Sequence, residues 1–153
     1  MVKTTRYCRE VKGLLSTVRQ CPGLREVDDQ LIRYGDLTIE NGAALTKELL
    51  EVPEPLDAVF AVCDSAAFGA MRTIKHHGLR IPQDIAVAGF TDEPVAAIVD
   101  PPLTTVAQPI FEIGEAAVQS FLQQVGREGN ANPGTKELRT RLVVRESSLR
   151  RKT

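Results

Sequence analysis

Three short segments carry the side chains that could do chemistry: Asp36-Leu37-Thr38, Cys63-Asp64-Ser65 and Thr91-Asp92-Glu93. Each groups a carboxylate with a hydroxyl, a set suited to hydrogen-bonding a small polar molecule. Cys63 beside Asp64 could in principle be a nucleophile, but no positioned histidine accompanies it, and a buried strand-end thiol is the commoner arrangement. His76 and His77 are adjacent, so on a helix they point about 100° apart, and no acidic partner four residues on completes a metal site. Their place in the last turn of a helix suits the helix dipole instead. No glycine-rich phosphate loop occurs. These residues point to binding rather than catalysis, with no metal and no cofactor.

The elements around these segments explain their placement. The run Ala58-Val59-Phe60-Ala61-Val62 is apolar without alternation, as for a strand covered on both faces, and so is Ile85-Ala86-Val87-Ala88-Gly89-Phe90. Between them Asp64 or Ser65 can cap a helix with Ala67, Ala70, Met71 and Ile74 on one stripe, and Gly78 is a fitting stop. Thr38 can cap an earlier helix through about Glu51, ended by Pro53 and Pro55. Leu31-Ile32 is a short strand candidate, and residues 6–19 carry Val11, Leu14, Leu15 and Val18 at helical spacing. Downstream, Val95 to Val99 is a short apolar segment and Asp100-Pro101-Pro102 a stiff turn. Pro109 can open a helix whose Ile110, Ile113, Gly114, Ala117 and Phe121 form one apolar face. Gly69 inside a helix implies close packing against a neighbour. Residues 126–134 read as a polar loop. Leu138, Thr140, Leu142 and Val144 alternate with Arg139, Arg141, Val143 and Arg145, as in an edge or half-exposed strand.

Strands alternating with helices predict an α/β domain with a parallel sheet of βαβ units. In such sheets ligands sit beyond the carboxyl ends of the strands, where the segments at 63–65 and 91–93 fall. The segment at 36–38 follows the weaker strand candidate and is a third contributor to a pocket rim.

Composition narrows the class. The chain has 153 residues with 19 Lys+Arg, 20 Asp+Glu and a formal net charge of -1. That balance offers no basic face for nucleic acid. The 42% hydrophobic and 25% charged fractions are ordinary for a globular domain. No apolar run approaches the roughly 20 residues of a membrane helix. Met1-Val2-Lys3 leads into polar residues, and three cysteines (Cys8, Cys21, Cys63) form no close pair. Both features suit a cytoplasmic protein.

Several motifs, in order, resemble the effector-binding part of lac/galactose-type repressors. Residues 58–71 are similar to that family's apolar strand, Ala-Asn-Asp and following helix. Gly78-Leu79-Arg80-Ile81-Pro82-Gln83-Asp84-Ile85-Ala86-Val87-Ala88-Gly89-Phe90 resembles its Gly-Leu-x-Val/Ile-Pro-x-Asp-Ile/Val-x-Val-x-Gly-Phe/Tyr signature. Pro101-Pro102-Leu103-Thr104-Thr105-Val106-Ala107-Gln108-Pro109 is similar to its crossover, and Leu142-Val143-Val144-Arg145-Glu146-Ser147 to its closing strand. The resemblance runs from about Tyr34 to Ser147. It implies the C-terminal subdomain of a type I periplasmic-binding-protein-like fold, truncated, with the crossover helix at about 108–125. Residues 1–33 form a divergent N-terminal helix and connection, and 148–153 a basic tail in which Arg150-Arg151-Lys152 is expected to be disordered.

The resemblance further implies a cytoplasmic sensor that binds a sugar or nucleoside-like effector and pairs as a homodimer. It would reach DNA only through a helix-turn-helix headpiece that this chain is expected to lack, with no membrane contact. Its pocket positions map to Asp36, Leu37, Cys63, Asp64, Thr91 and Asp92. Leu37 stands where the family stacks an aromatic, Cys63 where it has Asn, and Thr91 where it has Asp. Asp64 is either a helix cap or a ligand contact, Asp92 a turn stabiliser or a rim group, and Asp36 a turn stabiliser or a hydroxyl binder. Met71, Ile74, Val95 and Ile98 map to the dimer interface, with an ordinary core role as the alternative. The Ile110 to Phe121 stripe packs on an N-terminal subdomain in that family. Here it is expected to dock on another copy, to fold back, or to stay poorly packed. Two other readings stand beside this one: a truncated remnant or interaction module without ligand binding, and a transport-type sugar receptor.

Overall fold

The computed structural model describes residues 29–53, 55–125 and 135–150. The expected helix at 6–19 and loop at 126–134 lie outside them. Helix α1 (Ile39–Leu50) starts at Thr38, whose hydroxyl accepts the Asn41 amide at 3.1 Å, as its spacing predicts. Strand β1 (Ala58–Phe60) leads into helix α2 (Asp64–His76), which returns to strand β2 (Ala86–Ala88). β1 and β2 are parallel, in register Ala58 with Ala86 and Phe60 with Ala88, so this is a βαβ unit. Gly78, at φ 75, takes the left-handed turn that ends α2, a conformation open to glycine at little cost.

Beyond β2 the chain forms a short 3-10 turn (Pro94–Ala97), then strand β3 (Thr105–Ala107), helix α3 (Ile110–Val125) and strand β4 (Arg141–Val143). β3 meets the end of β2 through parallel bridges, Ala88 with Thr104 and Thr91 with Ala107. β4 pairs with β3 antiparallel, so the parallel-sheet expectation holds for β1 and β2 and gives way at the closing strand. Ser147 in the last turn is fully buried; its hydroxyl donates to the Val87 carbonyl at 2.7 Å and accepts the Thr104 amide at 2.8 Å.

The core gathers Ala67, Met71 and Ile74 of α2 with Ile81, Ile85, Val87, Ala96 and Leu103. Full burial of Ile74 and Leu103 stabilises by about 1.5–3 kcal/mol each. α1 packs on α2 at two glycines. A Cβ on Gly69 would lie 2.0 Å from the Ile39 carbonyl oxygen, and one on Gly42 would lie 2.3 Å from that of Ala66. The expected close approach at Gly69 is therefore a helix–helix contact.

Four expectations need correction. Leu31-Ile32 is no strand: Asp29–Leu31 is a 3-10 turn, since two apolar residues without alternation have no ladder to join. β1 is not covered on both faces: Ala58 and Phe60 share one face and are exposed, Phe60 by 45%, while Val59 on the other is half-buried. On the closing strand Leu142 and Val144 are exposed, while Val143 and Arg145 are half-buried, because Arg145 reaches inward to polar partners. Arg150 is anchored rather than loose: its guanidinium donates to the carbonyls of Pro82, Asp57 and Asp84. Residues 151–153 lie outside the described residues.

α3 has no buried residue, and Phe111 is 91% exposed. Its apolar stripe does not fold back on the described body.

Replacing Gly69 with Ala should destabilise the fold by about 1–3 kcal/mol, because overpacking against backbone outweighs the gain in helix propensity. Urea unfolding of Gly69→Ala checks this; a variant as stable as the parent would show that the helices separate freely.

Candidate functional site

Because β1 and β2 run parallel, their carboxyl ends open on the same side, and the segments at 63–65 and 91–93 meet there. Asp64 is the centre of the junction. It is fully buried, with Oδ2 accepting the Glu93 amide at 2.8 Å and Oδ1 accepting the Thr105 hydroxyl at 2.6 Å. Its own amide donates to Thr91 Oγ1 at 3.4 Å. Asp64 is thus neither helix cap nor outward-facing group in this structure; it joins both strand tips to β3. The helix cap is Cys63, whose sulfur accepts the Ala66 amide at 3.4 Å.

The second tip is bent to fit. Thr91 (φ 137) and Asp92 (φ 58) both lie in the left-handed region, which a β-branched residue such as Thr rarely enters. Asp92 takes part in a half-buried ion pair, with Arg145 Nη2 at 2.7 Å from Oδ1. Arg145 Nη1 donates to the Leu103 carbonyl at 2.8 Å, and Thr105 Oγ1 accepts the Asp92 amide at 3.3 Å. Ser65 donates to Glu93 Oε1 at 3.0 Å. Gly89 is required beneath, since a Cβ there would sit 2.3 Å from Asp64 Oδ1.

Burial pushes the Cys63 thiol up from its usual range, and the Glu93 and Asp64 carboxylates add to this; the Ala66 and Ser65 amides oppose it. A protonated sulfur spent as a helix cap is a poor nucleophile.

The structure brings Cys63, Asp64, Thr91 and Asp92 together. Asp36 and Leu37 lie just before α1 and share no hydrogen bond with these four among the described residues. Asp36 is exposed and makes no hydrogen bond among the described residues, and Leu37 is half-buried. Met71 and Ile74 take the core role rather than an interface one, because their side chains are enclosed within this single chain. Val95 and Ile98 are exposed, Ile98 by 81%. Sequence reasoning missed Thr105, Gly89 and Arg145. The Thr-Thr pair and the inward arginine at the end of an alternating strand were the available signals.

This geometry has known counterparts. A family description, the periplasmic binding protein-like domain, matches residues 5–148. The chain belongs to that family. Among curated relatives it is 36% identical over 138 residues to the HTH-type transcriptional repressor CytR of Escherichia coli (strain K12), covering 90% of this chain and 40% of the relative. Among solved structures, the putative LacI-family regulator of Sanguibacter keddieii superposes with a TM-score of 0.81 at 31% identity, over 92% of this chain and 53% of that one. The transcriptional regulator CelR–cellobiose complex gives 0.71 at 34%, over 89% and 39%. The periplasmic-binding-protein-like fold expected from the motifs is therefore the fold observed, and its relatives are transcriptional regulators of the LacI type. The chain spans about 40% of the length of the curated relative. Among the described residues no helix is long and apolar enough to cross a membrane.

Two outcomes follow from the junction of this periplasmic-binding-protein-like domain. Thr105→Val keeps the shape but removes the hydroxyl from a buried carboxylate, which should cost about 1.5–3 kcal/mol in denaturant unfolding; an unchanged midpoint would mean that Asp64 is not held by Thr105. Because the folded thiol titrates above its ordinary range, iodoacetamide at pH 8 should modify Cys63 about tenfold more slowly in the native protein than in urea. Peptide mass spectrometry reads this site by site, and equal rates would contradict the burial.

Proposed function

We propose that this chain is the sensing part of a bacterial transcriptional regulator, binding a small sugar or nucleoside-like effector where β1 and β2 end. The observation that carries the reading is the meeting of Cys63-Asp64-Ser65 and Thr91-Asp92-Glu93 at one side of a parallel pair, the place where α/β sheets take ligands. The two left-handed residues, Thr91 and Asp92, support it, because backbone strain of this kind collects at ligand sites. The cellobiose bound to CelR, a related regulator, supports the sugar class.

In this reading Asp64 orients the rim, while Cys63, Thr91 and Asp92 line it, with Asp36 and Leu37 as further contributors. The protein works as a cytoplasmic homodimer, for which exposed Val95 and Ile98 supply apolar contact surface. Contact with DNA would fall to a helix-turn-helix headpiece, as the HTH-type name of the relative CytR implies for that protein. The protein binds rather than catalyses, in keeping with the capped, protonated Cys63 thiol. A second reading, an interaction module without ligand, is favoured by the bare apolar face of α3.

Calorimetry against a panel of neutral sugars and nucleosides, with light scattering on the same sample, separates the two. Saturable heat with a dimeric mass is the expected result. Silence across the panel from a folded dimer would overturn the sensor in favour of the module.

A further inference from the structure

The apolar core stops short of the second strand pair. Among the described residues its last member is Leu103, and none of the half-buried side chains packed on it lies later in the chain. Val106, Ala107 and Val143 are only half-buried, Arg141 and Leu142 are exposed, and α3 has no buried residue. β3 and β4 are therefore seated mainly by polar bonds. Water competes for such bonds, so their net hold is modest where apolar burial does not back them.

Those bonds converge on the bent tip of β2. The Thr91 amide donates to the Val106 carbonyl at 3.0 Å and the Asp92 amide to Thr105 Oγ1 at 3.3 Å. The Asp92 carboxylate takes Arg145 Nη2 at 2.7 Å, and the same guanidinium reaches the Leu103 carbonyl at 2.8 Å. Thr91 and Asp92 are also the two left-handed residues, and a conformation of that kind persists only while its surroundings hold it. The bend and the strand pair thus depend on the same bonds. The charged contact among them is the half-buried Asp92–Arg145 pair.

Both ends of the segment are fixed. Thr105, where β3 starts, is tied to Asp64, and Ser147, beyond β4, is tied to the Val87 carbonyl. An opening between these ends would move the strand pair without taking the fold apart. We propose that the Asp92–Arg145 pair is a latch: when it parts, the β2 tip relaxes and β3 and β4 open with it, while the βαβ core stays folded. Arg145 is the positioning residue of this device, since its fork holds a carboxylate and a carbonyl at once. The latch does not rest on the sensor reading. With a ligand at the tip as proposed above, the two equilibria are linked and each biases the other.

Native-state hydrogen exchange on the full chain tests this, read at single amides by NMR and corrected for intrinsic rates. The Thr91 and Asp92 amides bond to β3, whereas those of Ala61 and Ala86 bond to Ala88 and Asp57 within the βαβ unit. In the parent the first two should exchange about a hundredfold faster than the second two. Asp92→Asn keeps a residue at home in the left-handed region. It should speed exchange at positions 91 and 92 about tenfold further and leave Ala61 and Ala86 unchanged. Arg145→Met should do the same, and the double variant should exceed Arg145→Met by no more than about twofold, because both changes remove one interaction. Equal protection at all four amides of the parent overturns the latch, since the strand pair then opens only with the whole fold. So does an Asp92→Asn variant in which all four speed up together, and so do effects that multiply in the double variant. Loss of folding in Arg145→Met counts against it too, because the core is then not independent.

Discussion

A carboxylate removed from water is tolerated only when both oxygens are met by donors, because the desolvation of the charge is otherwise uncompensated. Asp64 meets that condition with the Glu93 amide and the Thr105 hydroxyl, and much else follows from keeping those partners in place. The tip of β2 must turn back far enough to aim an amide at Asp64, which requires the left-handed backbone at Thr91 and Asp92. The strand beneath must leave room for the carboxylate, which requires Gly89. β3 must run beside β2 in the register that puts Thr105, rather than Thr104, against the carboxylate. One buried charge thereby fixes the relative positions of three strand ends.

Much of the fold was legible because its signals are local. The Thr38 cap, the stripe Ala67, Ala70, Met71 and Ile74, and the Gly78 stop each depend on residues within four positions of one another, and each is where the periodicity puts it. The role of Asp64 was not legible for the opposite reason. Its partners lie 29 and 41 positions away, and an Asp after a strand reads locally as a helix cap. The cap fell to Cys63, a weak acceptor that propensity would not select. Burial periodicity also could not tell core from interface at Met71 and Ile74, since an inward stripe and a dimer stripe have the same spacing.

α3 shows the same limit from another side. Its apolar spacing predicts an amphipathic helix, and the helix is there over sixteen residues. Spacing says which face wants cover and nothing about what provides it. Among the described residues nothing does, and Leu142 of β4 and Val144 just after it are bare as well. The βαβ core, already closed around Ile74, Val87 and Leu103, has no need of either surface.

The β3–β4 pair is consequently held to the rest of the domain chiefly by polar bonds and by Leu103. Ser147 links the Val87 carbonyl to the Thr104 amide, Thr104 Oγ1 accepts the Arg145 amide, and Arg145 spans Leu103 and Asp92. Polar bonds are directional, so this attachment specifies an orientation where apolar packing would allow sliding. Arg145 matters most in it, because its planar fork serves a carbonyl and a carboxylate at once, which a lysine could match in charge but not in geometry. The residue that anchors the crossover to the body is therefore also the one that pairs with Asp92 at the tip of β2, so the bend of that tip and the seat of β4 are tied through one side chain.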